Sequence, residues 1–158
     1  MLKPGDRAPG FGLPESDGER VHLSEFRDEK NVVLYFYPKD DTPGCTVEAQ
    51  DFTRLLPEFE ALHTVVLGVS RDDTASHCAF RDKFGLRVPL LADVDGQVCE
   101  QYGVWQEKAR NGEKHMGIVR STFLIDRNGI IREALYGVSA EGHAADMLER
   151  VRRLEEDG

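Results

Sequence analysis

Two uninterrupted apolar runs, Val32 to Tyr37 and Val65 to Val69, flank a segment in which Phe52, Leu55, Leu56, Phe59 and Leu62 recur at helical spacing. A strand with no polar position has to be covered on both faces, and a helix with one apolar stripe has to pack on something. Together they require a β-α-β unit at the centre of an α/β fold. The pattern continues with a helix from about Thr74 to Phe84 closed by Gly85, then a third strand, Leu90-Leu91-Ala92. A turn at Asp93 to Gly96 leads to a short helix ending near Tyr102 and stopped by Gly103. Segments Ser121 to Asp126 and Ile130 to Leu135 flank Arg127-Asn128-Gly129, a hairpin signal, and Ala144, Met147, Leu148, Val151 and Leu154 mark one face of a last helix. Upstream, Phe11 and Leu13, a turn through residues 14 to 18, then Val21 and Leu23 predict an N-terminal β-hairpin, with Ser24 capping a short helical turn. The expected architecture is a mixed central sheet flanked by helices on both faces. Pro57, inside the first helical stripe, predicts a kink there.

No internal repeat or linker interrupts the 158 residues, of which 40% are hydrophobic, so a single domain over 1–158 is expected. With 20 basic and 29 acidic side chains the net charge is -9, which disfavours nucleic acid and anionic membrane surfaces as partners. No stretch reaches the roughly 20 apolar residues of a membrane span, and the N-terminal MLKPGDRAP lacks a signal-peptide core, so a cytoplasmic location is expected. Three irregularly spaced cysteines argue against a secreted disulfide framework.

One of these cysteines occupies a chemically pointed position. The strand Val32 to Tyr37 runs directly into Pro38-Lys39-Asp40-Asp41-Thr42-Pro43-Gly44-Cys45. Thr42 suits an N-cap and Pro43 the first helical position, so Cys45 falls in the first turn of a helix. There it meets unpaired N–H groups and the positive end of the helix dipole, both of which favour the thiolate, the reactive form of sulfur. The alternative is a small buried hydrophobe, for which this helix start is an unusual setting. Cys78 lies on the predicted second helix, away from the side of Phe80 and Phe84, and Cys99 has the packing neighbours Val98 and Tyr102. A zinc site at Cys78 and Cys99 lacks paired ligands at metal spacing, and His77 does not supply them. His22, His63, His115 and His143 are dispersed and read as surface residues.

The pattern Pro-x-x-x-Thr-x-x-Cys resembles the peroxidatic motif of the peroxiredoxins, and the string YFYPKDDTPGCTVEAQDF is similar to the bacterioferritin comigratory protein, or PrxQ, subfamily. GDRAPGFGLPESDGERVHLSEF, LGVSRDD, VCEQYGVW and GIVRSTFLIDRNG resemble further segments of that subfamily in the same order, so nearly the whole chain is covered. The resemblance implies a thioredoxin-like fold and reduction of hydrogen peroxide or organic hydroperoxides by Cys45, which becomes a sulfenic acid. Thr42 would orient the O–O bond, Pro38 would shape the pocket, Arg120 would stand against the thiolate, and Glu48 would hold Arg120. From the residues alone, Arg120 would be a surface ion pair and Glu48 a first-turn acid. Many members carry a resolving cysteine at the position that is Gln50 here, and others carry it on the helix after the second core strand. Resemblance to the latter implies Cys78 as the resolving residue, one helical turn earlier than in those members, the alternative being a half-buried helical cysteine. The resemblance further implies thioredoxin as reductant, a monomer, and no metal or organic cofactor. Two alternatives stay open: a one-cysteine peroxidase resolved by an external thiol, and a non-catalytic thioredoxin-fold binding module. A general thiol-disulfide reductase would need a second cysteine where Thr42 stands.

Overall fold

The structure is a computed structural model that describes residues 1–157. It begins with the antiparallel pair β1 (Gly12–Pro14) and β2 (Arg20–His22), followed by a 3-10 turn over Leu23–Phe26. Ser24 lies inside that turn rather than at its start; the cap is His22, whose N–H donates to Glu25 Oε2 at 2.5 Å. Strand β3 (Asn31–Phe36) is buried at every position. Its alternation sorts Val32, Leu34 and Phe36 into one core and Val33 and Tyr35, with Tyr37 just beyond the strand, into the other.

Helix α1 (Pro43–Ala61) returns the chain to β4 (Thr64–Ser70), parallel to β3, and α2 (Thr74–Phe84) returns it to β5 (Leu90–Ala92), parallel to β4. Both crossovers step the same way across the sheet, so with the usual right-handedness their helices lie on the same face. Phe52 and Phe59 of α1 and Phe80 of α2 accordingly share one core. Helix α1 runs through Pro57 without interruption, so the expected kink does not break it.

The short α3 (Gln97–Gln101) covers the opposite face, where Val98, Cys99 and Tyr102 pack with Phe36 and Phe123. A hairpin follows, β6 (Trp105–Arg110) with β7 (Glu113–Ile118), which the hydrophobic pattern does not predict. Its register is set by the turn: Asn111 and Gly112 have φ of 52° and 81°, the pair of positive values that a type I′ turn requires. Strands β8 (Ser121–Ile125) and β9 (Ile131–Tyr136) add antiparallel to the other side of β3, giving the order β5-β4-β3-β8-β9. Helix α4 (His143–Asp157) seats Ala144, Met147, Leu148 and Val151 beside α1. This is the mixed, helix-covered sheet of the thioredoxin-like fold, with its N-terminal hairpin. No helix among the described residues is long and apolar enough to cross a membrane.

Candidate active site

Tyr37 extends β3 by one residue, its N–H donating to Val69 O at 3.0 Å, and the chain then leaves the sheet through residues 38 to 42. Thr42 is the N-cap of α1, in extended conformation at φ −107° and ψ 154°. Its hydroxyl does not cap the helix. It donates to Lys39 O at 2.8 Å and so closes the loop on itself, leaving the first-turn amides without a side-chain acceptor. Cys45, on that turn, is 1% exposed.

Arg120 reaches this turn from the segment between β7 and β8, where its carbonyl accepts from Val138 N at 2.9 Å. One arm of the guanidinium, Nη2, donates to Cys45 Sγ at 3.4 Å, and the other, Nη1, donates to Glu48 Oε1 at 2.5 Å. The Glu48 side chain is fully buried and that of Arg120 is 15% exposed. Gly44 makes the room: a Cβ at this position would stand 3.1 Å from Arg120 Nη2. Burial pushes the Glu48 carboxyl up to about 7, against the pull of Arg120. For Arg120 itself burial pulls downward, but Glu48 and Cys45 outweigh it and the guanidinium is raised. Burial thus prevails at the carboxyl and not at the guanidinium, so the firmest charge of the cluster is the cation beside the sulfur. Glu48 Oε2 and the phenol of Tyr35 have no hydrogen-bond partner, and burial, followed by Glu48 and Cys45, pushes Tyr35 well above the usual phenol range.

Cys45, Arg120 and Glu48 are therefore brought together across 75 residues of chain, as the resemblance implies. Thr42 and the half-buried Pro38 frame the same loop. Cys78 has its own surroundings on α2: it is partly exposed, and its thiol donates to Ser16 O at 2.7 Å, with Arg81 Nη1 donating to Ser16 Oγ at 3.2 Å. All three cysteines are free. Cys99 is fully buried in the opposite core, and burial pushes its thiol far up, in keeping with a packing role.

His22, His63 and His115 are exposed as expected, but His143 is not. It is 4% exposed, with Nε2 2.7 Å from Thr122 Oγ1 and its ring edge-on to Phe52, and burial lowers it to about 4. The reason is positional, since His143 opens α4 on the face that meets the sheet. His77 is also fully buried and pairs with Asp40. The pairing of His77 with Asp40 was not legible in the sequence, because the polar loop 38 to 42 carries no sign of which helix it will meet.

The AhpC/TSA family model matches residues 4–134. The chain is 44% identical over 142 residues to peroxiredoxin Bcp of Escherichia coli strain K12, covering 90% of each chain. Its fold matches the solved structure of the bacterioferritin comigratory protein of Xanthomonas campestris, studied for alkyl peroxide reduction, with a TM-score of 0.88 and 37% identity over 98% of each chain. A cysteine-to-serine mutant of PrxQ from Xylella fastidiosa is matched with a TM-score of 0.91 and 38% identity over 97% of each chain.

Proposed function

This chain belongs to the AhpC/TSA family, among the peroxiredoxins of the bacterioferritin comigratory (PrxQ) type, and is a thiol peroxidase; on that premise we propose that Cys45 attacks the peroxide and Cys78 resolves the product. The observation that carries this reading is the Arg120 guanidinium donating to both Cys45 Sγ, at 3.4 Å, and the buried Glu48. A fixed cation beside the sulfur stabilises the thiolate and then the oxygen that departs. The thiolate forms an S–O bond while the O–O bond breaks. The leaving oxygen takes a proton to become water or an alcohol, and Cys45 is left as sulfenic acid. Thr42 and Pro38 shape the loop against which the peroxide lies, and Glu48 positions Arg120.

Sulfenic acid and the Cys78 thiol then condense, forming an S–S bond and releasing water. A disulfide needs Cα atoms within about 7 Å. Cys45 is buried at the head of α1 and Cys78 is held on Ser16, so the head of α1 opens during this step. An external dithiol protein, thioredoxin, supplies two electrons and two protons to restore both thiols. The enzyme acts as a cytoplasmic monomer of one domain, without metal or organic cofactor.

The test is intact mass with non-reducing peptide mapping after one equivalent of hydrogen peroxide. A loss of two hydrogens with a Cys45–Cys78 linkage is expected, and C78S should accumulate Cys45 sulfenic acid and lose thioredoxin-coupled turnover. Undiminished turnover in C78S would assign resolution to an external thiol. A Cys45 no more reactive than a free thiol would remove the catalytic assignment.

A further inference from the structure

The loop that delivers Cys45 carries a second polar cluster, separate from the Arg120 fork. Asp40 is buried with its side chain 3% exposed. Its Oδ1 accepts from the Tyr37 hydroxyl at 2.6 Å, and its Oδ2 lies 2.8 Å from Ser76 Oγ and 2.7 Å from His77 Nδ1. The His77 ring is fully buried, and its other nitrogen, Nε2, is 2.9 Å from Leu91 O in β5. Both partners of the ring are acceptors, so one proton is shared between His77 Nδ1 and Asp40 Oδ2 while Nε2–H serves Leu91. That makes the contact a charge-assisted hydrogen bond between two buried side chains.

The main chain of residue 40 is tied as well. Its N–H donates to Asp72 Oδ2 at 2.8 Å, and the same oxygen accepts from Ser70 Oγ at 2.7 Å. The imidazole and two carboxylates lie within 4.8 Å of one another, but the contacting oxygens are already engaged by protein donors, so the cluster is a tether rather than a cation site. Asp41 follows at φ 58°, a left-handed conformation that costs energy outside glycine and persists when its surroundings impose it. His77 immediately precedes Cys78, so one turn of α2 carries both the tether and the second thiol.

We propose that the Asp40–His77 pair is a positioning device that holds the Cys45 loop closed on α2, and that its rupture limits the transfer of oxidised Cys45 to Cys78. The proposal rests on the two-cysteine reading above. While the pair holds, Cys45 sulfenic acid stays beside Arg120, where a second peroxide molecule converts it to sulfinic acid and is itself reduced to water or alcohol. Once the pair breaks, the strain at Asp41 is released, and the sulfenic acid condenses with the Cys78 thiol, releasing water. The strength of the pair therefore sets the division between disulfide and over-oxidation.

Asp40→Asn separates these effects from misfolding. The amide oxygen still accepts from Tyr37, the amide nitrogen donates to Nδ1 of a neutral His77 and to Ser76 Oγ, whose hydroxyl turns from donor to acceptor, and Nε2–H still serves Leu91; the contacts are kept and the ionic part of the bond is lost. Ser76→Ala, which removes one donor from Asp40, is the milder companion. The measurements are amide hydrogen exchange of the reduced proteins, rapid-quench mass spectrometry after one equivalent of hydrogen peroxide, and the peroxide dose that converts Cys45 to sulfinic acid. In D40N, exchange across residues 40 to 47 and the rate of disulfide formation should both rise roughly five- to tenfold, with a smaller rise in S76A. The sulfinic fraction should fall, and exchange in α4 should not change. Unchanged exchange across 40 to 47 in both variants overturns the tether, and faster exchange with an unchanged disulfide rate overturns its control of resolution. If exchange rises but even the wild type forms no Cys45–Cys78 bond, the tether stands and the assignment of Cys78 fails.

Discussion

At the scale of single residues, the arrangement around Cys45 depends on a side chain that can address two acceptors at once. Arg120 does so with its two terminal nitrogens, on Cys45 Sγ and Glu48 Oε1. An ammonium is a point charge and cannot hold both contacts in this fork geometry. Arg120→Lys is therefore expected to slow Cys45 oxidation about 100-fold or more, the scale seen when one donor to a developing oxyanion is removed. Stopped-flow reaction with hydrogen peroxide measures this, and circular dichroism should show an unchanged fold. Gly44→Ala probes the same contact from the backbone side. Its added methyl would stand 3.1 Å from Arg120 Nη2, so the guanidinium has to shift. A stability loss of about 1 kcal/mol from overpacking is expected, together with a smaller decrease in oxidation rate than in R120K. A variant that reacts at the wild-type rate would show that the position of Nη2 is immaterial.

At the scale of elements, the helix boundaries follow from local chemistry and the contacts between helices do not. Helix α2 starts after Asp73, whose side chain accepts from Ser76 N at 2.8 Å, and ends at Gly85 with φ 62°. Both ends could be read from residue type, as a polar N-cap and a glycine in the left-handed C-cap position. Asp73→Ala should cost about 1 kcal/mol, visible as a fall of roughly 2–4 °C in the thermal midpoint, without loss of the first oxidation step. Helix α1 is a different case. Its expected capping hydroxyl, Thr42, turns back to Lys39 O, so the helix start that holds Cys45 is secured by the loop and by contacts from elsewhere rather than by its own cap. Such a start is suited to opening. The β6–β7 hairpin lacks an alternating apolar pattern because it is largely solvated, and Asn111-Gly112 was the local signal for it.

At the scale of the whole molecule, two buried groups give stability opposing dependences on pH. Burial raises Glu48 from 4.5 to about 7, so between these values the native state holds a proton that the unfolded chain has released, and stability falls as pH rises. Burial lowers His143 from 6.5 to about 4, so between these values the unfolded chain holds the extra proton and stability rises with pH. From about 4.5 to 6.5 the two slopes oppose and nearly cancel, with Glu15, raised to about 7 first by its own burial, adding weakly to the Glu48 direction. The Glu48 and His143 shifts each correspond to about 3 kcal/mol. Urea titrations across pH should therefore separate the groups. Glu48→Gln is expected to leave stability rising with pH from about 4 to 6.5, and His143→Gln to leave it falling from about 4.5 to 7. Parallel curves for wild type and both variants would refute the assignment.

The apolar runs at β3 and β4 and the stripe of α1 determined the central β-α-β unit, because strands and helices declare themselves through periods of two and 3.6 residues. The run from Thr42 to Cys45 likewise placed a thiol in a helix's first turn, since cap and proline preferences are local. What the thiol would meet was not local. Arg120 comes from beyond β7, His77 from α2 and His143 from α4, and each was brought to its partner by the order in which strands join the sheet. Burial follows the same division: His143 and Asp40 look like surface residues in the chain and are enclosed only because a sheet face or a second helix closes over them. Period and capping act over a few residues, whereas the charge beside the sulfur and the tether on its loop arise from packing, which the chain acquires only when it is folded.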